Sequence, residues 1–570
     1  TTAMLVDAIP FDAHDVVPDA KSNCTGSIAA GSATLLLNNT AGGGFTASDV
    51  GKTIVVAGAG VAGVPFVGTI AAFTSSAIVT LNTTVSTAVI WNSSVGIGGT
   101  VMWGTDNTTA INNVIAATIG QDHASAFVFS AGAYLVNGAI SIGAQNVSIT
   151  GQGRGITTIL QASASANTIA FTVTGANQRV RGLTIMGSGQ KVSGGYAIAW
   201  TGGGGGGGGF GCGVENVEIR NTYGGIKVTT YAPAEFSVRE FYIFCVVDAG
   251  IDALGIDASN GIIYQSTTQF FGNVSMSSGG TTVTFSSAIA RPDWLGWKIG
   301  IHDAGAASPG TPLITTITAV TSTTQVTVAN AASATVTNVG ATAEAPAAAG
   351  MRFSSPSGVF INNVDIIGGD YGLLASNSAG TSAFFQADQL ICDSNRIVGM
   401  RLEPTGGGRV SGGLFSRCEF TSAGAGGWAS SATATNTAGL TLNASVDMMS
   451  FNGCLIGHNA GWGAIVGGAV GTSFVGCQFD TNSTAAVGSL DHLYVSGGTE
   501  TMISSCKFGS QMYALNAGTP VNVRYGVNIT SGVTTGHLLM VNNSFKQWAT
   551  AGYVDSSTTG TKTITGNLSA

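Results

Sequence analysis

Asn146-Val-Ser-Ile-Thr-Gly151 and Arg181-Gly-Leu-Thr-Ile-Met-Gly187 carry the theme on which this chain is built: a small polar residue or glycine, apolar residues at alternate positions, then Gly or Asn. The theme returns at Asn216-Val-Glu-Ile-Arg-Asn221, Asn363-Val-Asp-Ile-Ile-Gly368, Asn452-Gly-Cys-Leu-Ile-Gly457 and Val475-Gly-Cys-Gln-Phe-Asp480. Alternation with a period of two is a strand with one face buried. A strand that recurs every ~20–45 residues is the signature of a solenoid, each return being one rung. Cys418, Cys454, Cys477 and Cys506, spaced 36, 23 and 29 residues apart, count off single rungs with turns of unequal length.

The composition agrees. Of 570 residues 85 are Gly and 11 Pro, and 8% are charged, against about 25% in ordinary domains. The wealth of Val, Ile and Thr argues against disorder. Gly, Asn and Ser interrupt every apolar run before the ~20 residues that span a bilayer, so no membrane insertion is expected. The net charge of −8 is spread thinly, with no basic run, which argues against nucleic acid. A neutral, hydroxyl-rich surface suits a polysaccharide.

The eight cysteines (24, 212, 245, 392, 418, 454, 477 and 506) are even in number. The last four, however, each precede an apolar residue by two, in strand period, and read as buried free thiols. With no CxxC pair, no zinc site is expected, and no cofactor or metal. Thr1-Thr-Ala-Met-Leu-Val-Asp7 lacks the basic and apolar regions of a signal peptide. The expectation is therefore a processed secreted protein or one carried on a virus particle, extracellular or on the virion surface.

Two further elements interrupt the rungs. Thr105-Asp-Asn107 offers an N-cap, and Ala110, Ile111, Val114, Ile115 and Ile119 follow at helical spacing; this predicts a helix plugging the open end of the solenoid. Thr69–Leu81 matches Thr316–Val328 at seven of thirteen positions without gaps, and Asp49-Val-Gly51-Lys52 has a counterpart in Asp293-Trp-Leu-Gly296 followed by Lys298. The expectation is two copies of a small β module. The organisation predicted is 1–29 N-terminal segment, 30–95 first module, 96–277 first part of the solenoid with the helix, 278–341 second module, and 342–570 second part of the solenoid. The glycine run 202–209 reads as a mobile loop.

Gly104-Thr-Asp-Asn-Thr-Thr-Ala-Ile111, Phe127-Val-Phe-Ser-Ala-Gly-Ala-Tyr-Leu-Val136 and Asn146-Val-Ser-Ile-Thr-Gly-Gln-Gly153 resemble the opening of the pectate-lyase-like β-helix superfamily, shared by phage tailspikes and polysaccharide-degrading enzymes. The resemblance covers about 50 residues well and the later rungs in pattern alone. It implies an all-β, right-handed, single-stranded parallel β-helix, with the capping helix and two inserted modules added. For function it implies hydrolases, lyases, transferases and inert adhesins alike. By the same resemblance, tailspikes are often homotrimers; this chain shows no evident trimerisation segment, so its oligomeric state is left open. The usual first Asp-Gly is absent, Ser130 replaces a proline, and no polygalacturonase-type catalytic set or calcium-aspartate set aligns.

Scarce charge makes its distribution informative. Residues 215–257 hold ten charged residues where even spreading predicts about four, and 365–419 hold ten where it predicts about five. With a module between them, the two clusters should occupy neighbouring rungs. The candidate catalytic carboxylates are Asp365, Asp370, Asp388, Asp393, Asp248, Asp252 and Glu240; the candidate substrate-binding residues are Arg239, Tyr242, Tyr371, Arg396 and Arg401. Asp365 follows Val364 as Glu419 follows Cys418, so both should point outward from equivalent positions. Asp388 aligns with Asp365 in one register; in another, Ile391 takes that place. Stacked carboxylates would raise one another's pKa and supply the acid and base of glycoside hydrolysis. A lyase would instead use a base with a cation, drawn from the arginines and tyrosines above. Outward carboxylates beside arginines are also what a solvated face of weak ion pairs looks like. His458 and His492 read as rung or turn residues. Trp294, Trp297, Trp428 and Trp462 are candidates for stacking on sugars, the first two equally for a module core. The function expected is an extracellular polysaccharide-degrading protein of glycoside hydrolase type; a polysaccharide lyase or a non-catalytic glycan-binding adhesin or fibre protein are the alternatives.

Overall fold

The computed structural model describes residues 7–569 apart from 41, 62–63, 90–98, 119–124, 164, 173–174, 189–194, 202–210, 229–235, 245, 266–268, 288–289, 291–293, 306–310, 346, 357, 425–427, 430–433, 510–522, 534–535, 547 and 559–560. The glycine run 202–209, Glu235, Cys245, Asp293 and Ile119 lie outside the described residues. Among those described, 37 strands join through parallel pairings into one sheet that coils along the chain, and two closed barrels stand apart from it. The molecule is a parallel β-helix.

Each rung has three faces. Val147–Thr150 opens the first, Thr157–Gln161 belongs to the second and Ile169–Phe171 to the third; each pairs with its successor in the next rung. The first two faces meet at a corner where one residue takes a left-handed conformation. Gly182, Asn216, Glu240, Asn260, Asn363, Gln389, Arg417, Gly453, Gly476, Ser505, Asn542 and Gly566 occupy it in register, all at positive φ. Gly and Asn tolerate that conformation best, which explains the residue heading most repeats of the theme. Asn146 heads a different corner, between the third and first faces, where its side-chain oxygen accepts from Asn177 Nδ2 at 2.9 Å.

Like side chains stack from rung to rung along the core. The rings of Phe415, Phe451 and Phe474 follow one another at 5.0 Å, and those of Phe479, Phe508 and Phe545 at 4.7 and 5.0 Å. Cys418, Cys454, Cys477 and Cys506 form an adjoining column, buried and free, each thiol donating to a backbone carbonyl of the rung below. On the third face Gly225, Gly250, Gly350, Gly372, Gly399, Gly439 and Gly463 lie in register. There the wall closes on its neighbour: a Cβ at Gly350 would stand 2.1 Å from Ile366 Cγ2. His492 continues this column, its buried ring bonded to Asn482 at 2.9 Å.

A helix spans Thr108–Thr118 and buries Ile111, Val114 and Ile115 in the solenoid core. Asp106 accepts the Thr108 amide at 3.0 Å, while Asn107 ties the helix start to Val17 and Leu135. Among the described residues no helix is long and apolar enough to cross a membrane.

The two barrels have the same six-stranded order. One runs from Lys21–Ser27 to Gly99–Gly104, the other from Gln269–Met276 to Val336–Glu344. Trp103 is buried in the first core; Trp294 and Trp297 are buried in the second, so these two are core residues rather than sugar platforms. Thr53 pairs with Thr69 as Lys298 pairs with Thr316. Lys298 therefore stands in the place of Thr53, one residue on from Lys52.

Candidate functional site

The charged clusters sort themselves by face. On the third face Lys227, Asp252 and Arg352 occupy successive rungs, with the second barrel emerging between the last two. Arg352 grips Asp248 through Nη1 and Nη2 at 2.7 and 2.8 Å and Asp252 through Nη2 at 2.8 Å; the buried Tyr196 hydroxyl donates to Asp248 at 2.6 Å. Burial opposes ionisation of Asp248, but the guanidinium and the phenol outweigh it and hold the carboxyl below its usual range. Burial and the two aspartates push the Tyr196 hydroxyl far up. Both carboxylates are committed to a cation, which makes this group a brace across the base of the insertion. Arg352 and Tyr196 stand alone among apolar neighbours in the sequence and carry no signal there.

Asp370 and Arg396 form a second brace. Arg396 Nε meets Asp370 at 2.7 Å, and Nη1 meets Glu344 of the barrel at 3.0 Å; Lys298, also of the barrel, reaches Asp370 at 2.5 Å. Arg396 also donates to the Ala345 and Ala347 carbonyls at 3.2 and 2.8 Å, and its guanidinium lies 5.7 Å from the ring of Trp428, which is buried. Burial opposes ionisation of Asp370, yet Arg396 and Lys298 hold its carboxyl low. Tyr371 stands beside Arg401, which pairs with Glu403 at 2.7 Å. Trp462 leans on Tyr494, its indole N–H given to the Thr435 carbonyl. On the first face Asp388 is paired with the exposed Arg417 and Arg239 with Asp257; Glu240 sits at the left-handed corner.

The second face differs. Tyr242, Ile262, Asp365, Ile391 and Glu419 form one outward column over five rungs, and Phe244, Tyr264, Ile367, Asp393 and Thr421 the column beside it. The register is the one that matches Leu390 to Val364, so Ile391, and not Asp388, separates Asp365 from Glu419. Outward positions on adjacent rungs stand ~4.8 Å apart and alternate residues along a strand ~6.6 Å apart; Asp393 is thus ~8 Å, backbone to backbone, from both Asp365 and Glu419. None of the three has an ion-pair partner among the described residues; Asp393 accepts from the Thr421 hydroxyl at 3.1 Å. Burial pushes the Asp365 carboxyl up. Burial, reinforced by the charges of Asp393 and Asp365, does the same to Glu419.

Aromatic side chains lead to these carboxylates. Phe244 lies 6.2 Å from Tyr242 and 6.3 Å from Tyr264 between ring centres, and all three are half-buried. Arg154 covers the Tyr242 ring at 4.1 Å and Arg220 the Phe244 ring at 5.2 Å. The alternation of Tyr242 and Phe244 around buried Ile243 is the signal from which their outward placement follows.

The chain matches no family model and no curated protein. Among solved structures it is similar to the A-module of the Azotobacter vinelandii mannuronan C-5 epimerase AlgE6, at 13% identity over 82% of this chain and 96% of that one, with a TM-score of 0.39. It is also similar to tailspike protein 3 of bacteriophage CBA120 (11%, 82% and 59%, 0.40) and to the Dettilon tailspike protein (10%, 79% and 65%, 0.41). The likeness is one of fold.

Proposed function

We propose that this protein is an extracellular polysaccharide hydrolase of the tailspike or secreted-endoglycanase kind, acting at Asp365, Asp393 and Glu419 on the second face. The observation that carries the reading is that three neighbouring carboxylates have no ion-pair partner among the described residues, while Asp248, Asp252, Asp370 and Asp388 are all ion-paired. Uncompensated, perturbed carboxyls destabilise a fold and mark functional sites. Glu419, whose carboxyl is pushed up by burial and by the two aspartates, is the acid that gives a proton to the leaving oxygen. Asp393, oriented by Thr421, takes one from the attacking water. Tyr264 offers a ring on which a sugar stacks, beside Tyr242 and Phe244, over whose rings Arg154 and Arg220 lie. A lyase would need a cation beside its base to hold the uronate, and among the described residues none pairs with these carboxylates, which favours hydrolysis over elimination.

The test is reducing-end release from a panel of bacterial and plant polysaccharides, with ultraviolet absorbance followed in parallel. Cleavage without new absorbance, lost by at least a hundredfold in Glu419→Gln and Asp393→Asn, is the expected result. New absorbance would mean elimination. Full activity in both variants would remove the assignment, and binding without cleavage of any polymer would make the protein an adhesin.

A further inference from the structure

A concavity of about 140 Å³ opens on the first face, lined by Arg179, Arg181, Gly213, Glu215, Ser237 and Arg239. Its shape follows from the register. Arg179, Gly213 and Ser237 form one outward column and Arg181, Glu215 and Arg239 the next; the Ser237 carbonyl closes on Gly213, 2.2 Å from where a Cβ would stand, and the hollow lies over this pair between two rungs that bear arginines. The volume equals that of roughly four or five waters, enough for one small anionic group.

The charges are arranged to be available. Arg179 Nε donates to the Gly211 carbonyl at 2.6 Å, which fixes the guanidinium, and its terminal nitrogens have no partner among the described residues. Arg181 has no hydrogen-bond or ion-pair partner among the described residues. Arg239 reaches Asp257 at 3.2 Å, but both side chains are exposed, and such a pair is weak. Three guanidinium forks thus face Glu215 alone within the hollow, in a chain whose net charge is −8. A guanidinium matches planar and tetrahedral oxyanions through paired N–H donors.

The hollow lies across the left-handed corner (Gly182, Asn216, Glu240) from Glu218 and Tyr242, where the aromatic columns of the second face begin. From its middle rung to the carboxylates is three to five rungs, or ~15–25 Å. We infer that the hollow binds a carboxylate or sulfate group on the polysaccharide lying along the second face. The favoured polymer then carries an acidic substituent several sugars away from the scissile bond, while the sugar at Asp365, Asp393 and Glu419 is neutral, since three carboxylates repel an anion. This deepens the hydrolase reading and rests on it for the path of the polymer, but not for the anion site itself.

The experiment is affinity electrophoresis of the full chain in gels holding dextran, polygalacturonate or dextran sulfate. Retardation is expected in one or both anionic gels and not with dextran, weakening as salt is raised. Arg181→Gln/Arg239→Gln should bind at least about tenfold more weakly, with unchanged melting since both side chains are exposed, and Glu215→Gln should bind more tightly. Retardation by polygalacturonate alone assigns a carboxylate; by dextran sulfate alone, a sulfate. No retardation by either polymer, or equal retardation of wild type and the double variant, overturns the inference. Glu419→Gln should be retarded like wild type. If it still cleaves while the arginine variant has lost binding, the hydrolase reading fails and the anion site stands.

Discussion

Replacing Arg396 by Met should loosen the second barrel from the solenoid. The guanidinium is 3% exposed and the Glu344 carboxyl 2%; one Glu344 oxygen already lacks a hydrogen-bond partner. Removing the cation strands a buried carboxylate, which costs about 3–5 kcal/mol. The Ala345 and Ala347 carbonyls lose their donors as well, at about 1 kcal/mol each. Asp370 keeps Lys298 and loses less. A penalty of about 5 kcal/mol raises the population of the locally opened barrel by three to four orders of magnitude. Hydrogen exchange reads this directly, because Lys298–Ile301 and the strand ending at Glu344 pair with each other beside the brace. Their amides should exchange faster by that factor in Arg396→Met while the rungs around Phe451 stay protected. Adding Glu344→Gln should recover about half the loss by removing the stranded charge. Exchange within threefold of wild type, or no recovery in the double variant, would refute the brace.

Three other outcomes follow from the same geometry. Glu419→Gln should stabilise the protein at neutral pH by less than about 1 kcal/mol, because it removes a carboxyl whose ionised form burial and the charges of Asp393 and Asp365 disfavour. The folded pKa of Glu419 is raised, so its destabilising effect grows as pH climbs from the unfolded value through the folded one; urea unfolding across that window should show a flatter profile in the variant. His492 is held down to about 3 by burial, so the unfolded chain binds the extra proton between pH ~6.5 and ~3. Stability should fall on acidification through that range, and His492→Gln should lessen the fall. Gly350→Ala should destabilise by more than about 2 kcal/mol or misfold, since its Cβ meets Ile366 at 2.1 Å; a midpoint in urea unchanged from wild type would mean the wall yields there.

The repeat was legible because the backbone itself imposes it. A corner in the left-handed region recruits Asn and Gly, and a stacked core recruits like residues, so Asn363, Gly453 and Gly476 and the cysteines after the last two are written in the chain at rung intervals. The outward pairing of Asp365 with Glu419 could be read for the same reason. Which charges compensate which could not. Asp370 looks in sequence like Asp365 and Asp393, but it and Arg396 are neutralised by Lys298 and Glu344, about 70 and 50 residues earlier in a separate barrel. Local alternation fixes the side of the strand on which a residue lies and says nothing of what folds back over it. The phenyl and phenol groups at 244 and 264 were passed over because apolar residues in a strand are ordinarily credited to the core.

The neck of the second barrel has a wider consequence. Tyr264 ends one rung and Ala349 begins the next face, and Gln265 spans the gap with a hydrogen bond to the Ala349 carbonyl at 2.9 Å. Ile256–Tyr264 and Val359–Ile367 pair directly, residue for residue, as though nothing intervened. Closure entropy rises only with the logarithm of loop length, and a guest with a core of its own and adjacent ends costs the host still less. Apart from the ion pairs of Arg396 with Glu344 and of Asp370 with Lys298, host and guest can therefore diverge independently. Such a chain can acquire, exchange or shed an inserted barrel at a single peptide junction while the registers that align Asp365, Asp393 and Glu419 pass unaltered to its descendants.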